Sequence, residues 1–280
     1  MSNPAFTRSP AFNGRAPAPA QANPYAADTS TGYAAPTAQQ LGAMYAAPSA
    51  SPVDTGRLTY DDVLIKSVGM LAVMLFGAVI GWLITPQFPV VYVLCALAGL
   101  ILTLVNVFKR SPSPILISSY AICQGVFVGG ISQLFNSLWN GIVLQAVVGT
   151  FAVFGITLAL FASGKVRASA KASRIVLIGL IAYLAYSVIN VVLMYTGVTT
   201  SMFGLDSQVQ ILGIPLGALV GPFVILMGAY CLVASFDVIK VGVANGVPAR
   251  YAWTAAFGLL VDVIFLYIQI LRWLAILQRN

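Results

Sequence analysis

An all-α polytopic membrane protein with seven transmembrane helices is the fold class this sequence predicts, and three observations predict it. Seven apolar stretches follow one another from about Asp62 to Gln278, each near the ~20 residues an α-helix needs to cross a bilayer. The 280-residue chain is 59% hydrophobic and only 8% charged. A soluble domain carries about 25% charged residues, so much of this surface must face lipid. Lys and Arg gather at alternate ends of the stretches, the pattern that orients spans in a membrane.

Residues 1–56 precede the spans and differ from them. Eight of the 15 prolines are here, mixed with Ala, Ser, Gln and Asn. Such a segment buries too little apolar surface to offset its ordering entropy. It is expected to be a disordered Pro/Ala-rich tail on the cytoplasmic side, with residues 57–280 forming the transmembrane domain. It lacks the apolar core of a signal peptide and is expected to be retained.

The spans are expected at about 62–84, 89–108, 114–134, 141–163, 174–196, 211–236 and 252–277. Turn chemistry separates them. Thr85-Pro86-Gln87-Phe88-Pro89 follows the first, Ser111-Pro112-Ser113-Pro114 the second, and Gly246-Val247-Pro248 precedes the seventh. The sixth holds Pro222 and several glycines, which suit a kink or a close helix contact.

Orientation follows from the loops. Lys109 and Arg110 follow span two, Lys165, Arg167, Lys171 and Arg174 follow span four, and Lys240 and Arg250 flank the turn after span six. The alternate loops hold no Lys or Arg and one acid, Asp206. The N-terminus is therefore expected in the cytoplasm and the C-terminus outside, against the weak dissent of Arg279.

Composition also excludes chemistries. The chain has no His and no Glu, which removes His-based acid–base work, Ser-His and Cys-His nucleophiles and the usual zinc sites. Cys95, Cys123 and Cys231 lie in apolar spans without a CxxC pair and read as small buried hydrophobes. The net charge of +7 sits at span ends and forms no single patch, so no nucleic-acid partner is expected. No cofactor is expected either.

The chemistry-bearing residues are two acids within the spans, Asp237 and Asp262. A carboxylate at the centre of a membrane helix costs about 2.5–3.5 kcal/mol on insertion scales and marks a functional site by default. Span six runs inward and span seven runs back, so the two can lie at similar depth. Two neighbouring carboxylates in low dielectric do not readily both ionise and share a proton. Such a pair senses pH, and when ionised it can repel or hold a cation. The bland alternative is that each acid pairs with a base, Lys240 one turn from Asp237 or Arg110 at the end of span two. Gln124, Asn190 beyond Tyr183, and Gln269, two turns after Asp262, read as interhelical hydrogen-bonding groups.

The last span, Leu260-Val261-Asp262-Val263-Ile264-Phe265-Leu266-Tyr267-Ile268-Gln269-Ile270-Leu271-Arg272, resembles the final helix of the Bax inhibitor family, the transmembrane Bax-inhibitor-motif proteins. There an Asp is followed ten residues later by the Arg of a Leu-Arg pair, here Asp262 and Arg272. Ser235-Phe236-Asp237 resembles the aromatic-Asp near the end of the family's sixth helix. The stretches Tyr120 to Ser132 and Asn140 to Thr150 resemble its third helix and the start of its fourth. The resemblance covers about residues 58–278 and leaves the tail outside. It is to the bacterial members, which implies a plasma-membrane protein. It also implies six helices in two layers around a central seventh, and a pH-sensitive calcium leak gated by Asp237 and Asp262. Bacterial relatives often carry Glu where Gln124 and Gln269 stand, so no second acidic cluster is expected. Arg110 is the counterpart assigned to the base that supports the gate in some relatives.

Calcium takes 6–8 oxygen ligands. Two carboxylates and a few amides leave most positions to water, so any calcium at Asp237 and Asp262 is bound weakly and transiently, as conduction requires. Other readings use the same acids. An intramembrane aspartyl protease places one Asp on each of two helices, but its Gly-x-Gly-Asp is replaced here by Gly258-Leu259-Leu260-Val261-Asp262. No enzyme is expected. A proton-coupled transporter and an interaction protein that restrains a membrane protease or another membrane partner stand as alternatives.

The loop asymmetry makes a test. Cysteines introduced in Gly197–Gln210 should react with an impermeant reagent from outside the cell, and those in Gly164–Ser173 and Val241–Ala249 should not. Outside labelling of the basic loop would reverse the orientation.

Overall fold

The structure, a computed structural model, describes residues 56–109, 111–199 and 201–279. The expected disorder of the tail and the role assigned to Arg110 fall outside these residues. Among the described residues there are seven long apolar helices: α1 (Tyr60–Ile84), α2 (Val90–Phe108), α3 (Pro114–Leu138), α4 (Ile142–Ala162), α5 (Ala170–Tyr195), α7 (Leu216–Ala244) and α8 (Ala252–Gln278). A four-residue helix, α6 (Leu205–Gln208), and a two-stranded hairpin, β1 (Gln210–Ile211) and β2 (Ile214–Pro215), lie between α5 and α7.

Local chemistry sets the ends. Thr59 caps α1 in a reciprocal box with Asp62: the Thr59 Oγ1 accepts from the Asp62 amide at 3.1 Å, and the Asp62 carboxylate accepts from the Thr59 amide at 3.3 Å. Asp61 and Asp62 thus belong to the first turn of α1, outside its apolar length. Ser169 caps α5, so Lys171 and Arg174 stand on its opening turns and not in a loop.

The sixth span differs most from its expected limits of 211–236. Ile211, Leu212 and Ile214 are apolar, but Leu212 and Gly213 adopt positive φ (55° and 80°) and close the β1–β2 hairpin. Two consecutive left-handed residues make a hairpin turn and cannot start a helix. The helix begins after Pro215 and runs on to Ala244, which places Asp237 and Lys240 within its last turns.

The bundle is built around α8. Of the most apolar 18-residue window in each helix, 61% is buried in α8 against 6% in α2 and in α5, so α8 is the central element and the other two are rim. It packs on α7, α1, α4 and α3. The main core joins Tyr120 of α3 to Phe257 of α8, edge to face at 4.9 Å, and continues through Leu260, Ile264, Ile270 and Leu271.

The tightest helix contact is between α1 and α3. Gly77 and Gly81 on α1 face Gly125 and Gly129 on α3, two small-xxx-small motifs in register. A Cβ on Gly77 would stand 2.7 Å from the Ile122 carbonyl oxygen, and one on Gly81 would collide with the Val126 backbone. At the end of the bundle that carries the basic loops, Leu58 donates to the Val247 carbonyl at 2.6 Å and Ala249 to that of Gly56 at 2.8 Å. The entry to α1 is thereby stitched to the turn between α7 and α8.

Replacing Gly81 with Ala should force α1 and α3 apart and cost about 1–3 kcal/mol, the usual penalty of overpacking. Gly69, with nothing within 4 Å of its added Cβ, is the control. Thermal unfolding in detergent should separate the two, and an equal effect would show that the contact is loose.

Candidate functional site

Among the described residues, two polar groupings built on a buried acid lie within the bundle, both reaching α8. The first is Asp262. It stands ten residues into α8, about 15 Å along the axis, and is buried between the bundle helices. Its partner is Ser235 of α7, whose Oγ donates to the Asp262 Oδ2 at 2.5 Å. Ser235 is itself fully buried. Either group can be the donor, depending on the proton carried by the carboxyl.

Asp237 is half-buried and stands elsewhere. At about 100° per residue it lies some 200° around α7 from Ser235. With Ser235 aimed at Asp262, Asp237 points to nearly the opposite face. Depth is similar for the two acids; azimuth is not. Among the described residues Lys240 forms no ion pair with Asp237; its Nζ lies 6.0 Å from the centre of the Phe161 ring.

The second grouping gathers several of the polar groups read as supporting the acids, about 15 Å further along α8. Arg272 forms an ion pair with Asp206, which is buried. The Tyr186 hydroxyl donates to the Asp206 Oδ1 at 2.5 Å. Arg272 also donates to the Tyr183 hydroxyl at 2.8 Å, and that hydroxyl donates to the Gln269 Oε1 at 2.8 Å. Asn190 completes the frame: its Oδ1 accepts from the Leu205 amide at 2.9 Å and its Nδ2 donates to the Phe203 carbonyl at 3.1 Å. The cavity beside the Asp206–Arg272 pair holds about 10 Å³, room for about one water.

Gln124 joins neither grouping. It packs over Gly99 of α2, and its Oε1 is buried without a hydrogen-bond partner among the described residues. Between the two groupings on α8, Tyr267 shares a 2.6 Å hydrogen bond with Ser132 of α3. Among the described residues no three metal-ligating side chains cluster, so the donors for a cation are single carboxylates, hydroxyls and amides.

Sequence reasoning passed over Asp206 and Ser235. A signal for the first existed: Arg272 lies in an apolar span and needs an acid, and Asp206 is the sole acid of the loops at that end. For Ser235 the signal is weak, since serine is common on membrane helices.

Removing Arg272 leaves the buried Asp206 carboxylate without its counter-ion. Arg272→Gln should therefore cost about 3–5 kcal/mol, and combining it with Asp206→Asn should recover part of the loss. Thermal unfolding of the four proteins checks this; additive losses would mean that the pair is not coupled.

No curated protein matches the chain. A family model described as Bax inhibitor 1 like matches residues 3–279. The match is wider than the resemblance over 58–278 and takes in the N-terminal segment as well. Covering nearly the whole sequence, and agreeing with the seven spans and the central last helix, it shows that this chain belongs to the Bax inhibitor 1 like family of multi-pass membrane proteins.

Proposed function

We propose that this protein is a pH-sensitive cation leak, with calcium as its physiological ion, and that it performs no covalent chemistry. The reading rests on the burial of Asp262 within the central helix, held by a single serine hydroxyl. An ionised carboxyl at that depth is costly without a partner charge, so a change of proton count at Asp262 changes what its seat can hold. Protonated, the carboxyl closes a hydrogen bond to Ser235 and ties α7 to α8. Ionised, it favours a cation or a rearrangement of α7.

Asp237 enters through that rearrangement. It lies two residues from Ser235, so rotating the end of α7 exchanges the serine for the second carboxylate. The two acids then face each other, share protons as one unit, and offer a weak site for a hydrated cation. In this reading the described arrangement is the closed one, with the Asp206–Arg272 pair sealing the opposite end. Calcium and protons are the partners, no resident cofactor is needed, and the basic loops lie in the cytoplasm of a bacterial cell.

Calcium flux into liposomes containing only this protein tests the proposal. The wild type should conduct with a marked pH dependence. Asp262→Asn and Asp237→Asn should each remove most of that dependence, and the double variant should resemble either single one. A folded single variant with an unchanged pH profile would exclude the shared gate. Absence of flux from the folded wild type at every pH would instead favour an interaction protein.

A further inference from the structure

A second feature of the bundle lies away from both polar groupings. α1 and α4 each pack on α8 but barely meet each other. Between them is a cavity of about 620 Å³, floored by α3 and α8. Its lining is apolar. The hydroxyls within it are already engaged: Ser132 with Tyr267 at 2.6 Å, and Thr150 with the Ala146 carbonyl at 2.7 Å. The indole N–H of Trp82, at one end of the lining, is the remaining polar group among the described lining residues.

The mouth continues the lipid-facing surface of the bundle. Leu75 and Leu83 on the α1 wall are 52% and 66% exposed, and Phe151 on the α4 wall is 62% exposed. The lining on α1 runs from Leu71 to Leu83, about 18 Å at 1.5 Å per residue. It begins near Trp82, two residues from the end of the helix, where tryptophan favours the headgroup level, and ends near mid-helix. Half of a ~30 Å hydrocarbon core is about 15 Å. The cavity is thus as deep as one leaflet. A docking transmembrane helix, from a partner or a second copy, would call for a seat running the full thickness.

We propose that this groove binds an acyl chain of a phospholipid from the leaflet on the α1–α2 loop side, with the headgroup near Trp82 and the chain end near the bilayer midplane. The volume lies within the about 300–1,000 Å³ of ligand pockets. An empty apolar void of this size forfeits contacts along its whole lining, and the membrane supplies hydrocarbon at its mouth.

The test uses the full chain in detergent with a phospholipid carrying a photoreactive diazirine on one acyl chain, and maps the adducts by mass spectrometry. Labelling at groove residues such as Leu75 and Val147 should saturate near one lipid per chain. It should exceed labelling at Ile178 on the outward face of α5 about tenfold, equivalent to about 1.4 kcal/mol of preference. Val147→Phe and Ala78→Leu, filling the groove from opposite walls, should each reduce the groove adducts about tenfold without lowering those at Ile178. Equal, unsaturable labelling at both places in the wild type would overturn the proposal, and needs no variant to be read. So would groove labelling that persists in both filled proteins, or a dimer cross-linked through Val147 that excludes the lipid.

Discussion

Every polar group on the central helix must find its partner inside the bundle, because lipid offers none. That constraint organises the molecule. Asp262, Tyr267 and Arg272 are spaced by five residues, so each is turned about 140° from the one before. They point to three sides of α8 at three depths. Asp262 reaches Ser235 on α7, Tyr267 reaches Ser132 on α3, and Arg272 reaches Asp206 and Tyr183 beyond it. Three helices or loops are located by three polar contacts, and apolar packing fills the space between them. Rotation of α8 alone would break all three together. α7 is held to α8 at a second point as well, where the Trp273 indole donates to the Ala218 carbonyl at 3.1 Å.

The remaining frame is made by close backbone approach. The facing glycines of α1 and α3 bring two helices together without side chains between them, and the entry strand at Gly56 to Leu58 fastens α1 to the turn before α8. On its inner side α4 packs on α8 and on α7, where Phe154 and Phe161 meet Phe236. α1 is drawn against α3 and barely meets α4, and the apolar cavity lies between the two.

The seven spans were legible because lipid-facing length is written in hydropathy, which averages over many residues. Boundaries set by a single backbone conformation were not. Ile211, Leu212 and Ile214 look like the start of a span, and only the left-handed pair Leu212 and Gly213 makes them a hairpin. The candidate site divides in the same way. That Asp262 lies within the membrane could be read from position. That it meets Ser235 and not Asp237 depends on the angle between two helices, which no count along one helix supplies. The polar groups chosen to support the acids were real hydrogen-bonding groups, yet Gln269, Asn190 and Arg272 gather around Asp206, an acid that in isolation looked like ordinary loop polarity. The lone Arg in an apolar span was the available clue.

The order of the helices has a consequence for biosynthesis. Chains emerge N-terminal end first, so α1 and α3 can meet through their glycines before α8 is made. The helix that supplies the centre of the core comes after all the others. Until α8 is inserted, Ser132, Ser235, Tyr183 and Asp206 face an unfilled space, and the strand at Gly56 to Leu58 waits for a partner nearly two hundred residues downstream. Until then the early helices form an open shell, its polar seats still waiting for the groups that will fill them.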